Sequence, residues 1–138
     1  MNQNELKKIL PHRPPMLLLD EADLVNGEAV ASYRVRGDEF FLQGHFPGHP
    51  VVPGVILCEM MAQACCVLLG SDMPAGATPY YTGIRQVKFR EKVQPGDELE
   101  IRCSLTKSRP PFYFAQGTVS VSGRVAAEGE FSFAVLEG

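Results

Sequence analysis

Between Gly44 and Gln63 the chain gathers three kinds of group that can act on a carbonyl compound: imidazole, carboxyl and backbone N–H. His45 and His49 stand in Gly44-His45-Phe46-Pro47-Gly48-His49-Pro50, whose prolines exclude a helix. A zinc site of the HExxH kind needs both rings on one helical face, and no Cys or Asp lies close by, so no metal is expected. A loop stiffened by proline suits a rigid mount for one imidazole acting as a base. Packing or capping of the loop is the alternative use of either ring. Glu59 and Gln63 are one turn apart on a predicted helix and share a face. A buried carboxyl either raises its pKa or finds a partner, because an unpaired buried charge is costly. Glu59 therefore reads as a group poised to give or take a proton, or as one that reaches solvent or an arginine at a sheet edge. Pro53-Gly54-Val55 opens the same helix, whose first N–H groups lack intrahelical partners and sit at the positive end of its dipole. Gly54 carries no Cβ and lets a ligand oxygen approach those groups; a plain helix entry is the alternative. A base, an N–H donor and an acid this close together suit proton abstraction beside a carbonyl, followed by loss of a leaving group.

The elements that hold these groups can be read from periodicity and punctuation. Val55 to Leu69 is apolar around its whole circumference except for Glu59 and Gln63, which predicts a buried helix, ended at Gly70-Ser71. Asn4 to Leu10 predicts a short helix with Leu6, Ile9 and Leu10 on one side, stopped by Pro11. Met16 to Val25 and Glu28 to Arg36 predict two strands joined at Asn26-Gly27, the preferred pair for a two-residue hairpin. A loop runs from Gly37 to Pro53. Tyr80 to Glu91, Glu98 to Lys107, Phe112 to Ser122 and Arg124 to Val135 predict four more strands. The expected class is α+β: one long helix wrapped by an antiparallel sheet of about six strands, with 1–138 as one domain.

Thirteen Lys and Arg against sixteen Asp and Glu give a net charge of −3, which argues against a general nucleic-acid binder. A local basic patch stands out nonetheless: Lys88, Arg90 and Lys92 are expected on one strand face, with Arg85 close by. It is either a solvated face or a dock for an anionic partner. No signal peptide is visible and the apolar run is too short and polar to span a membrane, so the expected location is the cytoplasm. The four cysteines show no CxxC pairing and are expected to be reduced, small buried hydrophobes. No GxSxG, Walker or GxGxxG pattern is present.

The run His45-Phe46-Pro47-Gly48-His49-Pro50-Val51-Val52-Pro53-Gly54-Val55, with Glu59 and Ala62-Gln63-Ala64 beyond it, resembles the FabZ-type (3R)-3-hydroxyacyl-[acyl carrier protein] dehydratases. Leu10-Pro11-His12-Arg13, Pro15, Asp20, Gly83-Ile84, Lys88-Phe89-Arg90, Pro95-Gly96-Asp97 and Gly123 to Glu128 extend the resemblance over nearly the whole chain. It implies the hotdog fold, a long helix wrapped by an antiparallel sheet. It also implies His45 as the base, Glu59 as the acid and Gly54 as the N–H that polarises the thioester carbonyl. Phe46 and Gln63 are then expected at the substrate, with a gating aromatic at Tyr80 or Tyr81. The implied partner is an acyl carrier protein, an acidic partner for which the basic set Arg85, Lys88, Arg90 and Lys92 offers a dock by charge. No metal or organic cofactor is implied. In the family the histidine and the carboxylate come from different chains of a dimer, and trimers of dimers are common, so a homodimer within a hexamer is expected. Pro14, Met16, Val52, Arg85 and Ser108-Arg109-Pro110-Pro111 depart from the family's usual residues, outside the three implied catalytic positions. A thioesterase of the same fold and a non-catalytic acyl-thioester binder are the alternatives. The loop histidine speaks against the first, and the want of any DNA-binding segment against the second.

Overall fold

The computed structural model describes residues 1–70, 73–74 and 76–137. Six strands form one sheet: β1 Glu21–Val25, β2 Glu28–Arg34, β3 Ala77–Phe89, β4 Glu98–Arg109, β5 Phe112–Val121 and β6 Arg124–Glu137. Their order is β1-β2-β4-β5-β6-β3 and every neighbouring pair is antiparallel. A short helix α1, Gln3–Leu6, precedes the sheet, and the long helix α2, Gly54–Leu69, lies against its concave side. This is the hotdog arrangement. None of the described helices is long and apolar enough to cross a membrane.

The interior follows the two periodicities. Leu99, Ile101 and Cys103 of β4 alternate inward, as do Ala29, Ala31 and Tyr33 of β2. From α2, Met60, Met61, Ala64, Cys65 and Leu69 are wholly enclosed, as expected of a helix without a polar stripe. The β1–β2 hairpin turns at Asn26 and Gly27, with φ of 51° and 82°, and pairs Val25 with Glu28. Both central residues sit in the left-handed region that this turn demands.

Three expectations are corrected. Residues 16–20 do not extend β1. Leu17, Leu18 and Leu19 are all buried in succession, and the Leu18 N–H donates to the side chain of Gln63 instead of to a strand, so the segment is a strap across the helix. Helix α1 stops at Leu6, not Leu10, because the Arg13 guanidinium takes the Lys7 and Leu10 carbonyls and Ile9 N–H closes a tighter turn on Leu6. The cysteines are not all thiols: Cys65 of α2 and Cys103 of β4 form a disulfide, whereas Cys58 and Cys66 are free and buried. Cys65 and Cys103 face each other across the helix–sheet interface with Cα atoms 5.5 Å apart, within bonding range. That meeting exists only in the packed fold.

Candidate active site

His45 lies in the loop before α2, which folds back through reciprocal backbone hydrogen bonds between Phe46 and His49. Its Nδ1 is 3.0 Å from the Val51 carbonyl. A carbonyl only accepts, so Nδ1 carries the proton and Nε2 keeps its lone pair. The ring stacks on Phe46 at 4.1 Å between centroids, and Phe46 itself is exposed. His49 is exposed and is held through its backbone, not its ring. The two histidines are thus distinguished physically, and only His45 is oriented as a base requires.

Glu59 projects from α2 into a cluster of donors. His12 Nε2 stands 3.3 Å from Oε2, Gln63 Nε2 donates to Oε2 at 3.0 Å, and the Tyr81 hydroxyl donates to Oε1 at 3.2 Å. Burial pushes this carboxyl upward, but the hydrogen bonds from His12, Gln63 and Tyr81 outweigh it and hold Glu59 below the ordinary carboxylate range. Glu59 has found partners and is ionised. Tyr81 is pushed the other way, first by burial and then by the Glu59 charge, so it remains a protonated donor. Gln63 is the one fully buried polar side chain among the described residues. It accepts from Leu18 N–H at 2.9 Å and donates to the Met16 carbonyl at 2.8 Å as well as to Glu59, so its amide braces the carboxylate against the strap.

Adjacent strand residues point to opposite faces, which separates the two tyrosines. Tyr81 turns toward Glu59 and packs beside Phe133 at 5.4 Å, and Tyr80, its neighbour along β3, takes the opposite face by that alternation. Gly54 begins α2, and the N–H groups of Gly54 and Val55 have no acceptor among the described residues. A Cβ on Gly54 would stand 2.7 Å from Cζ of Phe89, so packing against that ring already requires glycine here. Beside it opens a cleft of about 530 Å³, lined by Val51, Gly54, Val55, Phe89 and Lys92 among others.

No hydrogen bond or ion pair joins His45 to Glu59 within one chain. The basic residues are also less uniform than alternation predicted, because β3 ends at Phe89 and carries a bulge between Arg85 and Lys88. Arg85 pairs with Glu130 at 3.4 Å and Arg90 with Glu128 at 3.0 Å, and Lys88 and Lys92 have no ion pair within contact distance among the described residues. His12 is the residue that sequence reasoning passed over. It stood inside Leu10-Pro11-His12-Arg13, but nothing local tied it to Glu59.

Comparison with known proteins places the chain. Residues 10–130 match the FabA-like domain family. The chain is 42% identical over 137 residues to a 3-hydroxyacyl-[acyl-carrier-protein] dehydratase FabZ of Clostridium perfringens, covering 98% of this chain and 99% of that protein. It is 43% identical over 138 residues to the enzyme of the same name from Oenococcus oeni, with 98% and 99% covered. Among solved structures, a chain of the dehydratase heterocomplex ApeI:P from Xenorhabdus doucetiae superposes with a TM-score of 0.81 at 26% identity, covering 94% of this chain and 90% of that one. The protein belongs to the FabA-like domain family, and within it to the FabZ-type dehydratases.

Proposed function

We propose that this chain dehydrates (3R)-3-hydroxyacyl thioesters on an acyl carrier protein to trans-2-enoyl thioesters, as a step of fatty-acid elongation in the cytoplasm. The observation that carries the reading is the His45 ring, pinned through Nδ1 with no partner for Nε2 among the described residues, in a chain 42% identical to dehydratases of that name. Nε2 removes the α-proton while the Gly54 N–H steadies negative charge on the thioester oxygen. The C–O bond at the β-carbon breaks, the double bond forms between the α- and β-carbons, and a proton from Glu59 leaves with the hydroxyl as water. Glu59 takes its proton from solvent before the C–O bond breaks, favoured by the added burial that an acyl chain brings to the carboxyl. As the family resemblance implies, His45 of one chain and Glu59 of a second chain then form one site. Strand β3 is one edge of the sheet, and Tyr81, Ile84 and Phe89 on it, with Val55 beside Phe89, are exposed apolar residues, which supports a dimer there. Three such dimers make the expected hexamer.

Among the residues proposed to dock the carrier, Arg85 and Arg90 are paired with Glu130 and Glu128, so Lys88 and Lys92 carry most of the attraction in this reading. Purified protein given 3-hydroxybutyryl thioesters is expected to yield enoyl absorbance without free thiol. His45→Ala is expected to lose roughly 10²-fold or more in turnover, and His49→Ala to keep most of it. The KM for a carrier-linked substrate is expected to rise with salt while that for a small thioester stays level. Thiol release without enoyl product, or equal behaviour of the two histidine variants, overturns the reading.

A further inference from the structure

His12 lies in the segment between α1 and β1, and three hydrogen bonds fix that segment from within. Arg13 Nη1 donates to the His12 carbonyl at 2.7 Å and to the Leu10 carbonyl at 2.9 Å, and Nη2 donates to the Lys7 carbonyl at 3.0 Å. The guanidinium therefore faces its own backbone, and the imidazole is left to face α2. Its Nε2 reaches Glu59 Oε2 at 3.3 Å, while Nδ1 is buried with no hydrogen-bond partner among the described residues. The tautomer that fits carries the proton on Nε2 and donates it to the carboxylate. Nδ1 is then a bare acceptor, a less costly orphan than a buried N–H would be.

The two oxygens of Glu59 are consequently unlike. Among the described residues Oε2 faces two donors, His12 at 3.3 Å and Gln63 at 3.0 Å, whereas Oε1 faces the Tyr81 hydroxyl, which it shares with the Cys58 carbonyl at 3.3 Å. The terminal torsion of a glutamate is soft and nearly two-fold, so a single bond from Gln63 would leave the carboxylate free to swing. We propose that His12 is a positioning residue: its Nε2–H holds Oε2 of Glu59 so that Oε1 is the oxygen presented to the substrate. This rests on the dehydratase reading for its catalytic consequence but not for its geometry.

The groups that face Glu59 are His12 from the segment between α1 and β1, Tyr81 from β3, Cys58 and Cys66 from α2, and, in the proposed dimer, His45 of a second chain. Burial raises both thiols, Cys66 to about 12, and raises Tyr81, so none of these three ionises in the working range. Loss of the His12 donor is therefore read directly in the titration of Glu59.

The test compares His12→Leu, which fills the space without a donor, with His12→Gln, whose amide reaches the Nε2 position. Carboxyl infrared or carbon NMR follows Glu59, assigned with Glu59→Gln, alongside kcat and KM. His12→Leu is expected to move the Glu59 titration upward and to lower kcat by roughly 10-fold or more at little change in KM. His12→Gln is expected to restore both. If His12→Leu does not fold, His12→Asn serves, because its amide falls short of Oε2 and is expected to behave as the donorless variant. An unmoved Glu59 titration, or equal loss in the Gln variant and the donorless one, overturns the proposal. A wild-type chain that fails to dehydrate, yet whose Glu59 responds to His12, overturns the dehydratase reading and leaves the positioning intact.

Discussion

At the scale of single residues, Glu59 and His45 are prepared in opposite ways. His45 is held at one nitrogen so that the other keeps its lone pair. Glu59 is surrounded by donors that favour its charge against a burial that opposes it. The sign of the consequence for stability follows from linkage. A carboxyl whose folded pKa lies below the ordinary 4.5 binds its proton first in the unfolded chain as the pH falls. Its stabilisation is complete above that value and is lost as the pH drops through the lower folded one. Glu59→Gln replaces an acceptor by an amide N–H facing other donors, so the variant is expected to melt below wild type at pH 7. The gap in Tm is expected to close on acidification below about pH 4.5; a gap that stays constant down to pH 3 would show that the charge of Glu59 contributes nothing.

Between elements, the joint that orders the site is Gln63. One buried amide links α2 to the strap of residues 16–18 and to the carboxylate one turn earlier on the same helix. Leucine in its place would match the burial but strand the Leu18 N–H and the Met16 carbonyl, each an unsatisfied polar group. Gln63→Leu is expected to cost about 2 kcal/mol or more in unfolding free energy. Hydrogen exchange at the Leu18 amide should quicken beyond the change in global stability, since its acceptor is the group removed. Exchange at Leu18 that tracks only global unfolding would mean that the strap is held by its leucines and not by the amide.

At the scale of the whole molecule, the proposed pairing of His45 with Glu59 of a second chain would make catalysis a property of assembly. Inactive His45→Ala and inactive Glu59→Gln chains, mixed under conditions of subunit exchange, are expected to regain about a quarter of wild-type turnover, because half the dimers then hold one intact site of two. No recovery after proven exchange would place both groups in one chain's site. Sedimentation of the same sample checks the hexamer of about 15.1 kDa chains expected from the family resemblance.

Much of this protein was legible along the chain because the relevant signals are local. The apolar circumference of α2 declares burial, Asn26-Gly27 declares its hairpin, and alternation in β4 declares which side faces the helix. The motif from His45 to Gln63 declared the candidate groups and, through resemblance, the family. What stayed hidden depends on which distant residues meet, and that is decided by sheet register and by the rotation of α2 over the sheet. Those set Tyr81 rather than Tyr80 against Glu59, joined Cys65 to Cys103, and matched Arg85 and Arg90 to glutamates of β6. They also turned residues 16–20 from an expected strand into a strap and brought His12 to the carboxylate. A periodic pattern tells each residue which side it faces; only the packed fold tells it which partner waits there.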